Sequence, residues 1–97
     1  MIVLLLKKAQ LRLDEIVEYH QKIGYGKRGR KIRTAILKKA LLLKEHPNLG
    51  VVEEKLAELG LDHRFLVEGN YKIIYRIEGQ YVLVTDVFDT RQDPEKL

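Results

Sequence analysis

The C-terminal stretch Val87-Phe88-Asp89-Thr90-Arg91-Gln92-Asp93-Pro94-Glu95-Lys96-Leu97 sets one arginine among Asp89, Asp93 and Pro94. Turn chemistry of this kind holds a side chain in place. A guanidinium so held is a planar, bidentate donor for a phosphate or a carboxylate. Arg91 therefore marks the rim of a site, with a surface ion pair to Asp93 as the plainer alternative. A second concentration of charge lies in residues 27–45, which hold eight of the eighteen basic residues against one acid. The rest of the chain is net acidic, so the formal charge of +4 belongs to this segment. It reads as the electrostatic footprint of a polyanion, either nucleic acid or an acidic protein segment, with Lys31, Lys38 and Lys39 as binding candidates. A solvated lysine-rich helix face is the alternative. The absence of cysteine excludes disulfides, thiolate catalysis and thiolate zinc sites. His20, His46 and His63 lack ligand-type spacing, so no metal is expected.

These residues need a scaffold, and 97 residues are enough for one domain, 1–97, with one core. The opening MIVLLLKK reads as an edge or second-from-edge strand. Its lysines follow the apolar run, the reverse of a secretory leader, and no apolar run is long enough to cross a bilayer, so a cytoplasmic protein is expected. Residues 9–23 place Ala9, Leu13, Ile16, Val17 and His20 on one stripe of an amphipathic helix whose start lacks a capping residue. Gly24, Gly26 and Gly29 punctuate the chain, and a second helix over about 30–46 presents Ile32, Ile36, Leu37, Ala40, Leu41 and Leu43 before Pro47 stops it. Residues 51–60 read as loop. Three strands follow, in LDHRFLV, YKIIYRI and YVLVTDVF, turning at Glu68-Gly69-Asn70 and Glu78-Gly79-Gln80. Simple alternation puts Tyr71, Ile73, Tyr75 and Ile77 on one face with Val82, Val84, Asp86 and Phe88. Asp86 is the misfit there: either a helix base reaches it, or it lies beyond the covered region. The class is α+β, an N-terminal helical hairpin on one face of an antiparallel sheet of about four strands, with the other face free to bind.

The segments HPNLG, HRFLVEGNYKIIYRI and VFDTRQDPEKL, in this order and spacing, resemble the RelE/ParE family of bacterial type II toxin–antitoxin toxins, the plasmid-stabilisation type. The resemblance spans nearly the whole chain and includes Ala9, Leu13, Ile16 and Tyr19, Pro47 and Gly50, and the Gly69, Tyr71, Lys72, Tyr75, Arg76 strand. It implies a helical hairpin on an antiparallel sheet, no cofactor, and an antitoxin segment that wraps and neutralises the toxin in a hetero-oligomer. It also implies one of two targets. ParE-like members act on a DNA topoisomerase, DNA gyrase. RelE-like members cleave mRNA on the ribosome, which needs a base, an acid and cations for the phosphorane.

Carried over residue by residue, the RelE-like pattern is matched by Arg91 after the last strand and by Lys72 where an arginine follows the tyrosine. His63 is a possible acid–base group near neutrality if it shares a face with Lys72. The earlier strand offers His63, Arg64 and Phe65 where basic residues are the pattern, Asp89 stands where a histidine is common, and no Tyr or His follows Tyr81. The hydrolytic constellation is incomplete, so the ParE-like, protein-inhibiting reading leads. An mRNA endoribonuclease is the alternative, and a stand-alone nucleic-acid-binding domain is third. Arg64 and Arg76 are binding candidates, or strand-surface residues paired with Glu68 or Glu78. His63 is otherwise a solvated strand-end residue.

Overall fold

The computed structural model describes residues 1–97, the side chain of Pro94 excepted. Strand β1 (Ile2–Leu5) runs without a loop into helix α1 (Lys7–Lys22). No side chain caps α1; its Leu6 junction is extended and donates its N–H to the Val84 carbonyl at 2.9 Å. The chain turns through Gly24 into helix α2 (Gly26–Leu41), followed by a 3-10 turn over Leu42–Lys44. Strand β2 (Val51–Val52) and a 3-10 segment (Glu54–Leu59) lead to β3 (Arg64–Glu68), β4 (Tyr71–Glu78) and β5 (Tyr81–Asp89).

The helical pair on a mostly antiparallel sheet agrees with the sequence reading, with five strands in the order β1-β5-β4-β3-β2. β1 is an edge strand and the one parallel member, pairing Ile2 with Tyr81 through Leu5 with Val84. The apolar stripes meet the sheet as their spacing requires. Ala9, Leu13 and Ile16 from α1 join Ile36, Ala40 and Leu43 against Ile73, Tyr75, Val82, Val84 and Val87 in one buried cluster.

Several details differ from the sequence reading. Helix α2 starts at Gly26 rather than near Arg30, because Gly29 is a packing residue and not a break. A Cβ at Gly29 would stand 2.8 Å from the Cβ of His20 and 3.2 Å from the Cα of Val17, so glycine is what lets the two helices approach. Leu41, read as part of the apolar face, is exposed at the end of α2. Residues 51–60 are not loop, since β2 pairs with β3 and a 3-10 segment follows.

The β4–β5 register also slips. Tyr75 pairs with Val84, but Ile74 pairs with Asp86, so Thr85 is an extra residue in a bulge. Beyond it the faces exchange: Val87 lies opposite Ile73 and joins the main core, whereas Phe88 lies opposite Lys72 and does not. Asp86 is only 4% exposed, and helix bases reach it. It accepts from Arg12 Nε at 3.2 Å, faces Lys8 Nζ at 3.2 Å, and takes the Val87 N–H at 2.8 Å.

Candidate binding site

Two places gather polar chemistry, on opposite sides of the sheet. The first is a cleft of about 580 Å3 between the C-terminal half of α1, the α1–α2 turn and the end of β5. Tyr19, Ile23 and Tyr25 stand exposed along its helical wall, and Tyr71 rises from the sheet. Arg28 reaches over the Tyr25 ring at 5.9 Å, a cation–π distance that keeps both groups at the rim.

Arg91 occupies the other lip of this cleft. Its Nη2 and Nε donate to the two carboxylate oxygens of Asp89 at 2.8 and 3.0 Å, and its backbone N–H donates to Asp89 as well, at 2.9 Å. The anchor is therefore Asp89, not Asp93, because the turn folds the guanidinium back towards β5. The Arg91 hydrogen bond holds the Asp89 carboxyl below its usual range, and Asp89 in turn keeps the guanidinium more firmly protonated. Burial, with the Asp89 charge beside it, pushes the Tyr71 phenol up. With 61% of its side chain exposed, Arg91 is fixed in direction yet open to a ligand.

The second place is the face away from the helices. Phe65 pairs with Ile74 and Val67 with Lys72, so these side chains share that face, and His63, two residues before Phe65, falls beside Arg76. The Lys72 ammonium lies 4.2 Å from the centre of the Phe65 ring and binds the buried Glu53 carboxylate at 2.8 Å. Glu53 is held by its position at the end of β2, where its N–H donates to the His63 carbonyl and its carboxylate accepts from the Lys55 N–H. His63 is 6% exposed, not a solvated strand end, and among the described residues its Nδ1 has no hydrogen-bond partner. Burial, then the Arg76 charge, pushes its pKa down.

A family model described as "ParE toxin of type II toxin-antitoxin system, parDE" matches residues 3–94. The chain belongs to the ParE toxin family. A solved structure titled "Chromosomal ParDE TA system from P. aeruginosa" has a similar fold, with a TM-score of 0.73 at 18% identity, over 90% of this chain and 92% of that chain. No curated protein matches the sequence significantly. As a member of the ParE family the chain is the toxin type of a type II module, and the ribonuclease alternative is not favoured.

Within this ParE-family fold the sequence-derived candidates do not converge. Lys72 and His63 share the face away from the helices, which is not free there as expected, since His63, Glu53 and Ile74 are buried. Arg91 lines the cleft on the helix side. Arg76 also lies on the side away from the helices and pairs with Glu78. Arg64 points the other way: it lies opposite Tyr75 and donates to the Gly50 carbonyl at 2.8 Å rather than pairing with Glu68. Lys31 and Lys38 stand on the outer surface of α2 and Lys39 is half-buried; none lines either place, although Lys31 neighbours Tyr25 and Arg28 at the end of the cleft. The turn around Arg91 was read with Pro94 in it, and that side chain lies outside the described residues. Sequence reasoning missed Glu53, whose carboxylate meets Lys72 only through the β2–β3–β4 register. It also missed Tyr25 and Arg28, hidden within a segment read as glycine punctuation. The available signal was a pair of tyrosines, Tyr19 and Tyr25, flanking the end of an otherwise amphipathic helix.

Proposed function

We propose that this ParE-family toxin acts in the cytoplasm by binding a DNA topoisomerase, and that an acidic, amphipathic antitoxin segment neutralises it in a hetero-oligomer by seating in the α1–β5 cleft. One observation carries the reading. The cations that phosphate cleavage would require together are apart, with Lys72 neutralised by Glu53 on one face and Arg91 anchored by Asp89 on the other. A cleft with exposed Tyr19, Ile23 and Tyr25 and the cations Arg28 and Arg91 at its rims supports recognition instead, since aromatic and arginine anchors dominate protein interfaces. Among the described residues no helix is long and apolar enough to cross a membrane.

Inducible expression, a supercoiling assay with purified gyrase and primer extension on ribosome-bound mRNA form the test. Inhibited supercoiling with intact message supports the proposal. Cleaved message with normal supercoiling moves the function to ribosome-dependent hydrolysis. Co-expression with the product of an adjacent reading frame should raise soluble yield and melting temperature by linkage, and equal stability with and without it counts against the antitoxin.

A further inference from the structure

Helix α2 carries seven basic residues and no acid, inside a run from Tyr19 to Lys44 that contains no Asp or Glu at all. Among the described residues none of the seven makes a salt bridge, whereas five of the eleven bases elsewhere do: Lys8 and Arg12 to Asp86, Lys72 to Glu53, Arg76 to Glu78, Arg91 to Asp89. Lys27, Lys31 and Lys38 recur at helical spacing and, with Arg30, flank a shallow surface groove of about 410 Å3 floored by Thr34 and Ala35.

Stability does not explain this placement. The positive end of a helix dipole favours acids, yet the first turns of α2 carry Lys27, Arg28, Arg30 and Lys31, with no acidic residue in the first turn and no capping side chain. Lys38 and Lys39 in the last turn are favoured by the dipole, so the unexplained charge is at the start. The apolar face of α2 is spent on the core, and the groove over Thr34 and Ala35 has no aromatic ring; the single ring nearby is Tyr25, exposed beside Lys27 and Lys31 and covered on one face by Arg28. The groove differs in this from the α1–β5 cleft, which mixes tyrosines with both signs of charge.

We infer that the outer face of α2 is a duplex DNA-binding surface that tracks the phosphate backbone through Lys27, Arg30, Lys31 and Lys38, without reading sequence. A row of unpaired cations with no apolar anchor matches a phosphate line better than a folded protein, whose interfaces need buried anchors. One tyrosine, Tyr25, at the start of the stripe is no platform for successive bases, which disfavours single strands, since these bind by repeated base stacking. Lys27 to Lys38 spans eleven residues, about 16 Å of helix axis, along which duplex DNA presents roughly ten charges. The choice of DNA over duplex RNA rests on the topoisomerase reading, which places the toxin beside DNA.

Fluorescence anisotropy of the full chain with a labelled 20-base-pair DNA duplex, in the absence of any topoisomerase, tests it. Four phosphate contacts give a salt slope of about −3.6, so affinity should fall roughly 10²-fold between 50 and 200 mM salt. K27E/K31E/K38E should retain the circular-dichroism spectrum and abolish binding, and K27Q/K31Q/K38Q, which adds no repulsion, should flatten the slope towards about −1. Absence of binding at 50 mM salt overturns the inference, as do equal affinity of both variants with the parent, tighter binding to single strands or to an RNA duplex, and equal binding to poly-glutamate of matched charge. A toxin that inhibits supercoiling without binding DNA loses this inference and keeps its target. One that binds DNA but leaves supercoiling intact loses the target and keeps the surface.

Discussion

Tyr75→Phe removes one oxygen from the centre of the fold, and its consequence can be worked out atom by atom. The side chain is fully buried; its hydroxyl donates to the Pro47 carbonyl at 2.8 Å and accepts the Gly50 N–H at 2.9 Å. It thereby ties the turn after α2 to the middle strand of the sheet. Phenylalanine keeps the ring and its packing. Pro47 is half-buried and can turn to water, but Gly50 is buried, and a Cβ there would lie 2.6 Å from the Phe65 carbonyl oxygen, which leaves little room for a replacing water. A buried donor left unpaired costs about 1–3 kcal/mol. For a domain of this size that lowers Tm by roughly 5–20 °C. Differential scanning calorimetry reads the shift, and hydrogen exchange at the Gly50 amide should accelerate. A drop below about 2 °C, with the amide still protected, would refute the claim that this hydroxyl fastens the turn.

Gly29→Ala sets a helix-propensity gain of about 1 kcal/mol against overpacking of about 1–3 kcal/mol, because the new Cβ meets His20. The variant should lose up to about 2 kcal/mol in urea denaturation, and a more stable variant would contradict the helix contact. Arg91→Ala breaks an exposed ion pair and should change stability by at most about 1 kcal/mol while weakening growth inhibition; unchanged toxicity at equal expression would place the site elsewhere. Combined with Lys72→Ala its loss should be additive, since the two side chains lie on different faces, whereas single variants each as inactive as the double would mark a catalytic unit. His63 resists protonation when folded, through burial and then Arg76, while the unfolded chain takes the proton near pH 6.5. Stability is therefore full above that pH and falls as pH drops below it. Urea midpoints at pH 7.5 and 5.5 should differ for the parent more than for His63→Gln, and equal differences would dismiss His63 as the cause.

The periodic parts of the fold were legible because burial enforces them. Ala9, Leu13 and Ile16, and then Ile36 and Ala40, could only be one face of each helix, and the alternation through Tyr71–Ile77 could only be a strand. The misfit of Asp86 correctly announced a cationic partner, although Lys8 and Arg12 lie more than seventy residues away along the chain. What stayed hidden is set by contacts with no local period. Thr85 bulges without disturbing the apparent alternation, so Phe88 was placed on the wrong face. Gly29 looks like a break because nothing nearby in sequence shows that His20 will press against it. Glu53 has no mark of its own until β2 pairs with β3. Arg91 stood out for the turn residues Asp89, Asp93 and Pro94 around it, with an ion pair to Asp93 as the plainer alternative; the carboxylate that holds it is Asp89.

The parallel edge pair has a consequence for how the toxin comes into being. β1 is made before the other strands of this sheet, and β5, its one partner among the described residues, emerges nearly eighty residues later. The ion pairs of α1 to the sheet, Lys8 and Arg12 on Asp86, wait for the same strand. At about 5–20 residues per second the start of the chain stays unpaired for roughly 4–16 s, and closing so distant a contact is the slowest kind of assembly. The cleft requires both α1 and the end of β5, so it does not exist until β5 has been made and paired. If the proposed cleft is where the toxin acts, that delay is an interval in which an antitoxin already present can meet the toxin as it closes.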